Sequence, residues 1–146
     1  RYSVTPVKVS ENPDGQGVTT LDIALIRRHI LGAVPLGTPH ALLAADVNDS
    51  ASVTTLDISL IRRVILGMTN DFPAGSWKFL RSDFQFANPA APWSVASERN
   101  IFEPAANLPG LDFIGIKVGD VNGSWTAAGA SGQSLGREPS EGSRVK

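Results

Sequence analysis

A mainly α fold carrying a β extension is predicted by three features of the sequence. A block of residues recurs 35 positions apart, and each copy runs into an apolar pattern of helical period. From Phe72 onward that pattern gives way to short alternating runs punctuated by proline. The first helix is expected from about Leu21 to Leu31, stopped by Gly32, and the second over the matching residues up to Gly67. On a helical wheel Ile23, Ile26 and Ile30 share one face of the first helix, as Ile58, Ile61 and Ile65 share one face of the second. These isoleucine faces are the natural helix-to-helix core. Leu21, Leu25 and Arg28, and likewise Leu56, Leu60 and Arg63, form second faces that need a cover of their own. Between the helices, Pro39 to Ala45 reads as a short helical turn.

The residues that lead into the second helix carry the chemistry. Oxygen-bearing side chains recur at Asp46, Asn48, Ser50, Thr54 and Asp57, which are positions 1, 3, 5, 9 and 12 of a twelve-residue stretch, and Ser52 at position 7 would offer its backbone carbonyl. A calcium loop of the EF-hand type places its ligands at these positions. Short oxygen side chains on alternate residues converge because such a loop curls around the ion, and the last carboxylate arrives on the first turn of a helix. Two positions depart from the EF-hand: Asp57 stands where Glu is usual and Ala51 where Gly is usual. Asp57 is one methylene shorter, so its helix must come closer to the ion.

The first copy keeps only half of this loop. Val18-Thr19-Thr20-Leu21-Asp22-Ile23 matches Val53 to Ile58, Leu25 to Arg28 matches Leu60 to Arg63, and Ile30-Leu31-Gly32 matches Ile65-Leu66-Gly67. Counting back from Asp22, however, puts Glu11, Pro13 and Gly15 at positions 1, 3 and 5, and only Glu11 is a ligand type. The missing pattern stands near the other end of the chain. Asp120, Asn122 and Ser124 repeat the spacing of Asp46, Asn48 and Ser50, but nothing like Thr-Thr-Leu-Asp follows Trp125. The economical expectation is that Asp120, Asn122 and Ser124 join Thr19 and Asp22 around one ion. The plainer alternative is that Asp-Val-Asn-Gly is a turn after a strand.

A duplicated half-loop followed by Leu-Asp-Ile-x-Leu-Ile-Arg-Arg-x-Ile-Leu-Gly resembles the dockerin type I repeat of secreted and surface-attached bacterial proteins. The resemblance covers roughly the first half of the chain. It implies two loop-helix units packed antiparallel, two bound calcium ions and docking onto a cohesin domain. The family's partner contacts, carried over to the matching positions, fall on Thr20, Leu21, Arg27 and Arg28 in one repeat and on Thr55, Leu56, Arg62 and Arg63 in the other. Their near identity would allow docking in two orientations. Family dockerins usually end soon after the second helix, and this chain does not.

The remaining sequence sets the frame. Residues 1–9 are expected to form a strand that could end a preceding domain, residues 10–70 the helix pair, and residues 71–126 the β extension returning to the calcium loops. Residues 127–146, rich in Gly, Ser, Glu and Arg, read as a flexible tail or linker. Within the extension Trp77–Leu80, Phe84–Phe86 and Asp112–Val118 read as strands, the last being the best of the three, and the prolines make residues 87–109 mostly irregular. The 146 residues carry a net charge of −1 and no cysteine, which excludes disulfides and thiol chemistry and gives no reason to expect nucleic acid as a partner. No apolar run approaches the roughly 18 residues of a membrane helix. No secretory leader opens the chain, and Arg1 reads as the start of a fragment, yet calcium loops favour the outside of the cell, where calcium is millimolar.

Other signals weigh less. Asn48-Asp49-Ser50 and Asn122-Gly123-Ser124 match the glycosylation pattern but fall inside the proposed loops. His29 and His40 stand alone, without metal-ligand spacing, and Trp77, Trp93 and Trp125 read as core or rim packing before a sugar platform. An enzyme is not expected, because the conspicuous carboxylates already have a calcium role and no nucleophile elbow, His-rich motif or phosphate loop is present. Two functions remain: an extracellular dockerin-like module that attaches its protein to a cohesin-type partner, or a calcium-stabilised structural module of a large surface protein, its outward faces met by its own extension and neighbouring domains.

Overall fold

The computed structural model describes residues 2–3, 6, 8, 16–93, 101–102 and 112–125. Helix α1 spans Thr20–Ile30, α2 Pro39–Ala45 and α3 Thr55–Ile65. Each of the long helices begins in the same way. Thr19 and Thr54 are N-caps in extended backbone, and the Asp three positions on, Asp22 or Asp57, accepts the cap's own N–H to close a capping box. They end alike too. Past Gly32 and Gly67 the N–H groups of Ala33 and Met68 return to the carbonyls of Arg28 and Arg63, at 2.9 and 2.8 Å. Thr38 caps α2, with Pro39 in its first turn, where the missing N–H costs nothing.

The isoleucine faces meet as the periodicity predicts. Ile26 and Ile61 are fully buried between α1 and α3, and Ile58 and Val64 are buried beside them. Burying a side chain of this size contributes about 1.5–3 kcal/mol, so the pair of isoleucines alone holds the helices together firmly. Ile23, Ile30 and Ile65 pack on this core from its margin.

The extension completes the core instead of standing apart from it. Strand β2, Trp77–Arg81, pairs antiparallel with β4, Phe113–Lys117, in the register Trp77 with Lys117 through Arg81 with Phe113. Just past β4, Val118 is fully buried in the same cluster as Val18, Ile26, Ile61 and Phe72. A second cluster gathers Leu80, Ile116, Leu43 and Ala44, with Phe84, Phe86 and Trp93 packed against it, and so fastens the β2–β4 pair to α2. A separate two-residue pairing joins β1, Tyr2–Ser3, to β3, Ile101–Phe102.

Three expectations need correction. Phe84–Phe86 is not a strand: Phe84 N–H closes a turn on the Arg81 carbonyl at 3.1 Å, and the two rings meet edge to face with centroids 5.0 Å apart. The alternation of apolar residues there comes from packing on a turn, with no strand paired to it among the described residues. Among the described residues the opening strand is Tyr2–Ser3, and Pro6 and Lys8 lie outside it. The helix boundaries move by one residue at the start of α1, because Thr19 is the cap and Thr20 already helical. The expected tail at 127–146 and the positions of Glu11, Pro13 and Gly15 lie outside the described residues. No helix among those described is long and apolar enough to cross a membrane.

Candidate metal centre

Asp46 ends α2, and its carboxylate folds back over its own loop. Oδ1 accepts the Ser50 N–H at 2.9 Å and Oδ2 the Ala51 N–H at 2.9 Å. Asn48 Oδ1 also receives the Ser50 N–H, at 3.2 Å. Curling this tightly requires left-handed backbone, and Asp49 and Ala51 adopt it, at φ +57° and +64°. The curl brings Ser50 Oγ within 3.4 Å of Asp46 Oδ1 and 3.2 Å of the Ser52 carbonyl oxygen. Asp57 closes the group from the first turn of α3: its Oδ1 accepts the Val47 N–H at 3.0 Å and its Oδ2 the Thr54 N–H at 2.8 Å. Thr54 Oγ1 donates to the same Oδ2 at 3.4 Å while accepting from Leu56 N–H, so its hydroxyl serves the helix cap.

At the other end of the chain the same contacts recur, divided between two segments. Asp120 Oδ1 accepts the Ser124 N–H at 3.0 Å and Oδ2 the Trp125 N–H at 2.7 Å. Asn122 Oδ1 receives the Ser124 N–H at 3.1 Å, and Gly123, at φ +71°, takes the place of Asp49. The closing carboxylate is Asp22, from α1. Its Oδ1 accepts the Val121 N–H at 2.9 Å and its Oδ2 the Thr19 N–H at 2.7 Å. Thr19 Oγ1 donates to Asp22 Oδ2 at 3.2 Å, as Thr54 does to Asp57. The structure therefore brings Asp120, Asn122 and Ser124 against Thr19 and Asp22, as the missing half-loop demanded.

One member of this second group escaped the sequence argument. Ser124 Oγ donates to the Gly17 carbonyl at 3.1 Å, just as Ser50 Oγ does to the Ser52 carbonyl. Counting back from Asp22 places Gly17 at position 7, so the count that exposed the damaged positions would also have found it. Gly17 sits at φ +82°, and a Cβ there would lie 2.8 Å from Trp125 Cβ and 2.9 Å from its Cα. Only glycine lets the two segments approach this closely.

Lys78 is a second residue not foreseen. Its ammonium donates to the carbonyls of Leu43 and Asp46, both at 2.7 Å, and pairs with Asp49 Oδ1 at 3.0 Å. It thereby satisfies the end of α2 and fixes the backbone on which the Asp46 loop is built. The signal was its place two residues before Leu80, hence on the buried face of β2.

Burial defines the electrostatics of both groups. Asp22 and Asp57 are 0% exposed, and Asp46 and Asp120 are buried with them. Desolvation is the main cause that pushes the carboxyls of Asp22 and Asp57 above their ordinary value of 3.8, and the facing charges of Asp120 and Asp46 push them further. No three carboxylate or imidazole side chains converge among the described residues, so each centre offers two negative charges and otherwise neutral oxygens. Two like charges held together away from water, ringed by amide, hydroxyl and carbonyl oxygens, fit a hard divalent cation that takes six to eight oxygen ligands.

Residues 12–67 match the dockerin type I domain. Dockerin domains as a family bind calcium and attach proteins to one another. The matched segment contains the whole Asp46 group but only the Gly17–Asp22 half of the second, since Asp120 to Ser124 lie beyond it. Comparison with curated proteins and with solved structures gave no significant match.

The residues expected to meet a partner lie on the outer faces of the matched segment. Thr20, Leu21, Arg27, Arg28, Thr55, Leu56, Arg62 and Arg63 are all exposed, Leu21 and Leu56 at 54% each. A groove of about 270 Å³ lies alongside, lined by Ile23, Ile30, Ile58, Arg27 and Arg62 among others. The histidines do structural work: His29 Nδ1 accepts the Leu36 N–H at 3.1 Å, and His40 meets Phe86 edge to face. Trp77, Trp93 and Trp125 are half-buried.

Proposed function

We propose that the chain is a non-catalytic, calcium-dependent attachment module that works outside the cell and docks a cohesin-type domain. Asp46, Asn48, Ser50 and Asp57 by side chain, Ser52 by its carbonyl and Thr54 at position 9, where such loops often act through water, hold one ion. Asp120, Asn122, Ser124, Thr19 and Asp22, with the Gly17 carbonyl, hold a second. When bound, calcium supplies positive charge that lets paired buried carboxylates stay ionised and keeps each loop closed on its helix. Two carboxylates per site suit affinities on the order of 10⁻⁶–10⁻³ M, which extracellular calcium would satisfy.

Docking rests on one observation. Leu21, Leu56 and all four arginines are exposed, while Leu25 and Leu60 on the same faces are half-buried. Large apolar side chains beside exposed cations on equivalent positions of both helices suit a partner with apolar pockets and acidic rims. The test is binding of the chain to a panel of cohesin domains, in calcium and in chelator. Calcium-dependent capture that Leu21→Asp with Leu56→Asp abolishes supports docking. Calcium binding without capture of any cohesin would leave the other reading, a calcium-stabilised structural module joined to neighbouring domains of its own protein. The fastening of the extension by Lys78, Val118 and Val121 favours that second reading.

A further inference from the structure

β2, β4 and the residues to Gly119 are fixed to the helix pair by contacts that do not involve the paired carboxylates. β4 is in register with β2, Val118 is fully buried, and Gly119 N–H donates to the Ala44 carbonyl at 2.8 Å. Beyond Gly119 the chain leaves the sheet, with Val121 at the margin of the core and Trp125 edge to face on Trp77. Among the described residues, two hydrogen bonds tie the loop to the α1 side: Val121 N–H to Asp22 Oδ1 and Ser124 Oγ to the Gly17 carbonyl. Across this seam Asp22 faces Asp120, like charge against like, both buried. The Asp46 loop has no such seam, because its two halves are covalently continuous.

We infer that residues 120–125 are a calcium-operated latch, closed on Gly17 and Asp22 when the cation is present and lifted away when it is withdrawn, with the helix pair and the β2–β4 pairing intact in both states. The inference rests on the reading of Asp22 and Asp120 as partners around one ion. In the closed state Trp125 lies against Gly17, so the segments leading into α1 and out of the extension are held side by side. Opening parts Gly17 from Trp125, while the β1–β3 pairing still joins the first residues of the chain to the extension.

Site-resolved hydrogen exchange on the full chain, in calcium and in chelator, reads the latch directly. The amides of Val121, Ser124 and Trp125, which donate to Asp22 and Asp120, should lose protection by roughly tenfold or more in chelator. Amides at Ile26, Ile61 and Phe79 should keep theirs. Asp120→Asn supplies a control of opposite sign. It removes the repulsion, so its loop should be better protected than wild type in chelator and less protected in calcium. Loss of protection everywhere at once, or unchanged protection at Val121 while calorimetry shows two bound ions, would overturn the latch. So would an Asp120→Asn variant less protected than wild type in both buffers. If calorimetry finds no ion dependent on Asp120, the latch falls together with the reading of the site beneath it.

Discussion

Val121 donates its N–H to Asp22 Oδ1 at 2.9 Å across 99 positions of sequence, and Val47 donates its N–H to Asp57 Oδ1 at 3.0 Å across 10. The two contacts are the same contact. Each is made by the residue after an Asp that opens an oxygen-rich loop, and each is received by an Asp in the first turn of a helix. What a covalent loop achieves around Asp46, the extension achieves around Asp22 by folding back.

The position of Gly17 gives the first prediction. Gly17→Ala forces an L-residue to φ +82° with its Cβ 2.8 Å from Trp125 Cβ. Left-handed backbone alone costs roughly 1–2 kcal/mol, and the clash adds to it by parting the two segments. Denaturant unfolding should show a loss of about 2 kcal/mol or more, and calorimetry should show the Asp120 site weakened while the Asp46 site keeps its affinity.

Ala51 is expected to respond in the opposite sense. It already sits at φ +64°, where glycine is at ease. Ala51→Gly relieves roughly 1–2 kcal/mol of strain and returns about 0.5–1 kcal/mol through the freer unfolded chain. A net gain of about 0.5–1 kcal/mol, with unchanged or tighter calcium binding, is the expected result of denaturant titration and calorimetry.

Most of this fold was legible because its signals are local. The 3.6-residue spacing of the isoleucines and the glycines past each helix lie within a few residues of what they control, whereas the capping role of Thr19 and Thr54 was not read. The approach of residues 120–124 to Asp22 was legible for a different reason: the Asp46 loop served as an internal template against which the missing half could be recognised. Where no template exists, the sequence gives a residue's face and not its partner. Lys78 reaches the end of α2 from more than 30 residues away, a contact that only the packed sheet creates. Phe84 and Phe86 alternate like a strand, yet whether a partner backbone lies beside them is decided by tertiary structure.

The buried carboxylates predict opposite pH responses with and without calcium. In chelator, Asp22 and Asp57 titrate above 3.8 in the folded state, so the fold binds their protons more tightly than the unfolded chain does. Their contribution is therefore fully present at low pH and is lost as pH rises through the raised folded value. In calcium the ionised carboxylates are the binding form, and stability should rise over the same window. Melting temperatures across that range, in both buffers, check the sign. Parallel curves would mean that these carboxylates do not hold the ion.

The exposed faces give a prediction about stability that separates docking from folding. Arg27→Glu with Arg62→Glu alters two solvated side chains outside the core, so unfolding should shift by no more than about 0.5 kcal/mol for each. Capture of a cohesin-type partner, where it occurs, should fall by at least about tenfold, since reversed charge on both helices opposes an acidic rim. Binding unaffected by the charge reversal would move the docking surface elsewhere.

The central claim is that one calcium site is assembled from residues 17–22 and residues 120–124. Calorimetric titration of chelator-treated wild type and of Asp120→Ala tests it most directly. Two ions on the wild type and one on the variant, the survivor with the affinity of the Asp46 site, is the predicted result. Two ions on Asp120→Ala with unchanged affinities, or a single ion on the wild type, would contradict it.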